Sequence, residues 1–186
     1  MGNAQWHALQ VRPHFERIVA VRLCERDTEA YLPLRKVARN GMHPSEAPLF
    51  PGYVFFKYDE MADASFSDVP GAVSVVRRTD GINIIPEHQI TDLRRILAAG
   101  VSVQPWPFTS QGRIVMVQTG PMSGVTGILV DSTDRRLLVL SIPLIRRSIV
   151  IKINESHFVP ALHSVRDRSG LISTDAGCGK SRTRQL

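Results

Sequence analysis

Pro48-Leu49-Phe50-Pro51-Gly52-Tyr53-Val54-Phe55-Phe56 places two prolines, a glycine and four aromatic residues together in a chain of 186 residues that is only 6% aromatic. The first half has the chemistry of a corner. Each proline fixes its own φ and pushes the residue before it toward extended geometry, and Gly52 is free to take dihedrals that a side chain forbids. The second half, continued through Lys57 and Tyr58, is β-branched and aromatic and predicts a strand. Alternation sends Tyr53, Phe55 and Lys57 to one face and Val54, Phe56 and Tyr58 to the other. A strand with large apolar residues on both faces is either buried on both or leaves one for a partner.

On the N-terminal side, Gln5 to Val11 alternates as a strand, with Trp6, Ala8 and Gln10 opposite His7, Leu9 and Val11. After Pro13, residues Phe15, Ile18, Val19 and Leu23 fall on one face of a helix running to about Arg26. Its other face mixes Arg17, Arg22 and Arg26 with Glu16 and Glu25, the pattern of a solvated surface. Ala30 to Val37 reads as a strand interrupted by Pro33, hence an edge or a bulge. Arg39 to Ser45 has the chemistry of a hairpin tip.

On the C-terminal side, a polar loop around Asp59–Asp68 and a turn at Val69-Pro70-Gly71 lead to a strand at Val73–Arg77. Pro86 and Glu87 open a helix with Ile90, Leu93 and Leu97 on one face, closed by Gly100. Strands and helices in this order predict an α/β (α+β) sandwich over residues 1–100, its helices packed on a mainly antiparallel sheet. Residues 101–111, with Pro105 and Pro107 and no periodicity, read as a linker on which Trp106 and Phe108 are the residues able to dock. From Gly112 to about 158 the pattern is purely β: Arg113–Gln118, Val125–Asp131, Leu137–Ile142 and Ser148–Ile153 predict a small all-β SH3-like barrel. From about Ala161 the chain is rich in Ser, Arg and Gly and reads as a disordered tail, residues 159–186.

The composition, 43% hydrophobic and 22% charged, is that of a globular protein, and no apolar run reaches the length of a membrane span. No basic-then-apolar leader is seen, and Cys24 and Cys178 form neither a disulfide framework nor a metal motif; a cytoplasmic protein is expected. The net charge of +6 is unevenly placed. Residues 1–100 carry twelve Lys/Arg and twelve Asp/Glu, 101–160 six and three, and the remainder five and two. A nucleic-acid binder spreads basic charge over its folded surface, so an N-terminal half held by phosphate contacts is disfavoured.

Gly177-Cys178-Gly179-Lys180-Ser181 ends like a phosphate-binding loop, but Thr174 stands where the first glycine is required. The six histidines show no metal-ligand spacing, and neither a nucleophile elbow nor a paired-carboxylate site appears. The chain reads as a non-enzyme with no cofactor and no metal.

The Pro48–Phe56 stretch resembles the motif at the heart of the N-terminal (NGN) domain of NusG-type transcription elongation factors. Trp6 to Pro13 resembles that domain's first strand and turn. Gly112 to Gly127 is similar to the KOW repeat of the family's second domain. Together the likenesses span about Trp6 to Ile153. They imply a transcription elongation or antitermination factor, a monomer whose N-terminal domain binds the clamp coiled coil of RNA polymerase and suppresses pausing or termination. Matched position by position, the polymerase-binding residues are Phe50, Pro51, Tyr53 and Phe55; the first-strand match falls at Gln10, where some relatives have an aromatic. Contact with non-template DNA, as in specialised relatives, would draw on Arg17, Arg22 and Gly71.

The resemblance gives the second domain the task of recruiting a partner, Rho or the ribosomal protein NusE, through Met122, Val125 and Ile145. General NusG proteins carry a Phe in the loop after the third barrel strand, where this chain has Ile145. That departure makes the chain look like a specialised paralogue. KOW barrels also occur in ribosomal proteins, so the alternative is a ribosome- or RNA-binding protein. One relative, RfaH, holds its second domain as a helical hairpin. Here the β-branched run Ile149–Ile153 and the interior Pro143 favour strands.

Overall fold

The computed structural model describes residues 4–39, 42–58, 66, 68–81, 83–132, 135–152 and 158–160. The reading of the loop at 59–65 and of the tail from 161 lies outside the described residues; residues 159 and 160, assigned to that tail, belong to a strand instead. The described residues build a four-stranded sheet, a two-stranded hairpin and a six-stranded sheet, with two α-helices. Every strand pairing among the described residues is antiparallel.

The first sheet comprises β1 (Gln5–Val11), β2 (Ala30–Tyr31), β5 (Tyr53–Tyr58) and β6 (Ala72–Val75), in the order β2-β5-β1-β6. The aromatic strand β5 is therefore interior, paired along β1 with Ala8 opposite Phe55 and Gln10 opposite Tyr53. Of the two outcomes that a doubly apolar strand allows, this fold takes burial on both faces. Val54 and Phe56 join Leu9 and Val11 against Val19 and Leu23 of α1 (Glu16–Cys24). Phe55 joins Trp6 and Ala8 against Ile90, Leu93 and Ile96 of α2 (Glu87–Ala98). The sheet is thus sandwiched between its two helices, as the alternation requires.

The hairpin of β3 (Leu34–Arg39) and β4 (Met42–Pro48) delivers the chain to the corner, with Leu34 opposite Pro48. Helix α1 departs from its expected face: Ile18 is exposed, and Glu16 is buried in its place. Helix α2 buries Ile90 and Leu93 as expected, with Asp92 and Ile96 beside them and Leu97 only partly buried, and Gly100, just past its end, has a φ of +67°, the left-handed geometry of a glycine cap.

The second sheet runs β12-β8-β9-β10-β11-β7 and contains β7 (Val103–Trp106), β8 (Arg113–Val117), β9 (Thr126–Ser132), β10 (Arg135–Ile142), β11 (Arg147–Lys152) and β12 (Phe158–Pro160). The segments expected to favour strand over helix are strands here. Pro143 starts a one-turn 3-10 helix, Pro143–Ile145, that connects β10 to β11. Part of the expected linker is not a linker. Residues 103–106 form edge strand β7 on β11, with Ser148 opposite Trp106 and Ile149 opposite Pro105. An edge tolerates the proline, which has no N–H to give to a ladder.

Candidate functional site

The site begins at the corner between β4 and β5. Tyr53 N–H donates to the Phe50 carbonyl at 3.2 Å, so Phe50-Pro51-Gly52-Tyr53 is a tight turn with Pro51 and Gly52 at its centre. Gly52 has φ +84°, the dihedral that reserves the third position of a type II turn for glycine. Both of its peptide groups are held from outside the turn. Its N–H donates to Glu16 Oε1 at 2.9 Å, and its carbonyl accepts the Val11 N–H at 2.9 Å. Leu49 N–H donates to the Pro33 carbonyl at 2.8 Å. Helix α1 and strand β1 therefore fix the corner rigidly.

The expected polymerase-binding residues divide by exposure. Phe55 is fully buried and Phe50 is 3% exposed, their rings 5.7 Å apart in an edge-to-face contact. Pro51 is exposed and Tyr53 half-buried, with exposed Gln10 as its cross-strand neighbour. Of the four, Phe55 is a core residue in this arrangement and Phe50 is buried, which leaves Pro51 and Tyr53 at the surface. Phe50 is buried in a cluster that includes Val103, Ile142 and Ile149 of the second sheet. Leu49, Phe50 and Pro51 face Pro105, Trp106, Pro107, Arg147 and Ser148 across a crevice of about 460 Å³. One apolar cluster runs continuously from Trp6, Phe50 and Phe55 through α2 to Leu138, Ile142 and Ile149.

Helix α2 carries different chemistry toward each sheet. Arg94 lies over the rings of Trp6 at 5.3 Å and Tyr31 at 5.0 Å, and pairs with Glu29 at 3.0 Å. Trp6 Nε1 donates to Glu87 at 3.0 Å, which holds the Glu87 carboxyl below its ordinary pKa. On the other side, Asp92 Oδ2 accepts the Thr126 N–H of β9 at 3.2 Å. Burial pushes the Asp92 carboxyl up, opposed by that hydrogen bond and by the charges of His88 and Arg95.

The three residues expected to recruit a partner, Met122, Val125 and Ile145, are all buried in the shared cluster. They do not form a free surface here. The residues expected to touch DNA sit at and along α1. Arg17 pairs with Glu46 at 3.4 Å and Arg22 with Glu25 at 2.8 Å, all exposed. Gly71 has φ +91° and packs on Phe15, where a Cβ would fall 2.4 Å from the ring, so its identity has a structural cause. Sequence reasoning missed Glu16 and Asp92. A carboxylate in the first turn of a helix reads as a partner of the helix dipole, and one beside His88 and Arg95 as a solvated charge. Nothing in the local pattern marks either as buried.

Among the described residues, no group of three or more His, Cys, Asp or Glu side chains could hold a metal ion, and no helix is long and apolar enough to cross a membrane. The fold and site define a two-part α/β protein whose rigid aromatic corner is packed beneath its own second sheet. Residues 4–94 match the family profile described as "Transcription termination factor nusG". A solved structure titled "Domain interaction in Thermotoga maritima NusG" aligns with a TM-score of 0.51 at 18% identity, over 86% of this chain and 98% of that one. A comparison with curated proteins found no match. Residues 4–94 thus place the N-terminal half of the chain with the NusG-type transcription factors.

Proposed function

We propose that this protein is a transcription elongation or antitermination factor that docks on RNA polymerase through the corner Phe50–Tyr53 and the adjoining end of β5. Its partner is the clamp coiled coil, and the consequence of docking is suppression of pausing or termination. The observation that carries this reading is the corner itself. A turn fixed by two hydrogen bonds from outside it presents Pro51 and Tyr53 beside Phe50 on a rigid sheet. Rigid aromatic anchors next to a deep apolar contact are what a helical partner needs from a groove. Because Phe50 is buried in an apolar cluster it shares with Val103, Ile142 and Ile149 of the second sheet, docking of the whole corner is coupled to displacement of that sheet, which we read as a KOW barrel.

The test is capture of core RNA polymerase by the full chain and by Tyr53→Ala. Tyr53 is half-buried at the rim, so its truncation leaves the fold standing; interface aromatics of this kind are worth about 2 kcal/mol or more on truncation. Loss of capture with an unchanged melting curve supports the assignment, and equal capture by the variant refutes it. The near-neutral first hundred residues support a protein partner over the alternative of RNA or ribosome binding. The exchange of a general Phe for Ile145, together with burial of Met122, Val125 and Ile145, favours an operon-specific factor whose recruitment surface becomes free only on opening. In that opened form, NusE or Rho would be the partner and Arg17 and Arg22 would face non-template DNA.

A further inference from the structure

Apolar contact between α2 and the second sheet is non-directional; it brings the two together without choosing their register. Ile90 and Leu93 of α2 share one apolar cluster with Met122 and Val125. Set into the same seam is one polar contact of defined geometry. Asp92 is 4% exposed, and its Oδ2 accepts the backbone N–H of Thr126 at 3.2 Å, at the first residue of β9. One turn further along α2, Arg95 closes on the preceding loop. Its Nη1 lies 2.9 Å from the position a Cβ on Gly124 would occupy, and the left-handed φ of +86° at Gly124 favours glycine there.

We propose that Asp92 is the latch of this closed arrangement: by accepting the Thr126 amide, it fixes the second sheet in register over the Phe50 corner and sets how readily the corner is uncovered. The link to uncovering rests on the docking reading above. A backbone N–H cannot be satisfied by apolar neighbours, so removing the acceptor leaves a dry donor at the seam. An amide side chain at the same place keeps an acceptor oxygen while losing the charge. The hydrogen-bond latch therefore predicts that Asn substitutes for Asp and Ala does not.

The test uses the full chain as Asp92→Ala and Asp92→Asn, with amide hydrogen exchange followed residue by residue and core RNA polymerase binding measured in parallel. In Asp92→Ala, the Thr126 amide is expected to exchange about tenfold faster, the effect of losing one hydrogen bond to a buried partner. The Val54 and Phe55 amides should keep their rates, and polymerase binding should tighten. Asp92→Asn should stay near wild type in both measurements. Unchanged Thr126 exchange in Asp92→Ala overturns the latch, as does an Asn variant as open as the Ala variant. Acceleration spread equally over β5 also overturns it, since it would make Asp92 a general fold residue. Faster exchange at Thr126 with no gain in polymerase binding keeps the latch and refutes the docking reading instead.

Discussion

Gly52 and Glu16 show how one residue's environment decides what the corner can tolerate. Gly52→Ala must place a Cβ at φ +84°, which costs about 1–2 kcal/mol, although the nearest atom at that position is in ordinary contact range. Glu16→Ala leaves the Gly52 N–H without its acceptor and should lower stability by about 1–3 kcal/mol; urea melts of the two variants would check both figures, and a Glu16→Ala midpoint equal to wild type would count against the clamp. Gly52 was legible in the sequence because Pro-Gly between two hydrophobic runs names a turn. Glu16 was not, because its partner is a backbone amide thirty-six residues away. Tyr31 gives a pH test. Burial pushes its phenol up to about 12, with Arg94 pulling the other way, against about 10 for an unfolded chain. Its folded pKa is the higher, so its contribution is complete below pH of about 10 and is lost as pH rises through about 12. Tyr31→Phe should therefore show a flatter fall of melting temperature across that window. An identical slope in wild type and variant would sink the assignment.

Among the elements, β5 was the most legible, because a strand apolar on both faces has few places to go. Its odd and even residues do part as alternation demands, Tyr53 and Phe55 to α2 and Val54 and Phe56 to α1. The structure separates what the sequence joined, however: Tyr53 is a rim residue and Phe55 a core one. Phe55→Ala should cost about 3–5 kcal/mol of stability, while Tyr53→Ala should cost much less, a contrast that thermal melts of the two single variants will expose. Edge strand β7 was illegible for a physical reason. Four residues containing a proline carry no period, and their strand geometry comes from β11 rather than from themselves. Pairing should slow proteolysis within 103–106 relative to the flanking Pro107–Gln111 segment, and early cutting inside β7 would contradict its role. The phase of α1 was misread at Ile18 because the buried Glu16 takes part of the face that apolar counting assigned to it.

At the scale of the molecule, a sequence read as two domains and a linker gives one continuous apolar cluster that crosses both sheets through α2. Domain order was visible in the change from mixed to purely β patterning; the contact between the parts was not, since apolar residues do not announce which neighbour they bury against. A shared core predicts a single cooperative transition by calorimetry, and two well-separated transitions would mean that the seam contributes little. The connection from α2 to β7 is residues 99–102. Four residues reach at most about 14 Å, so a second sheet lifted from its seat stays beside it, at an effective concentration in the millimolar range or above. A competitor present at micromolar levels then meets a rival roughly a thousandfold more concentrated than itself. The tether thereby acts as a threshold: weak, passing encounters with the corner are outcompeted by recapture, and only a partner that also holds the liberated sheet, or pulls β7 away from β11, keeps the protein open.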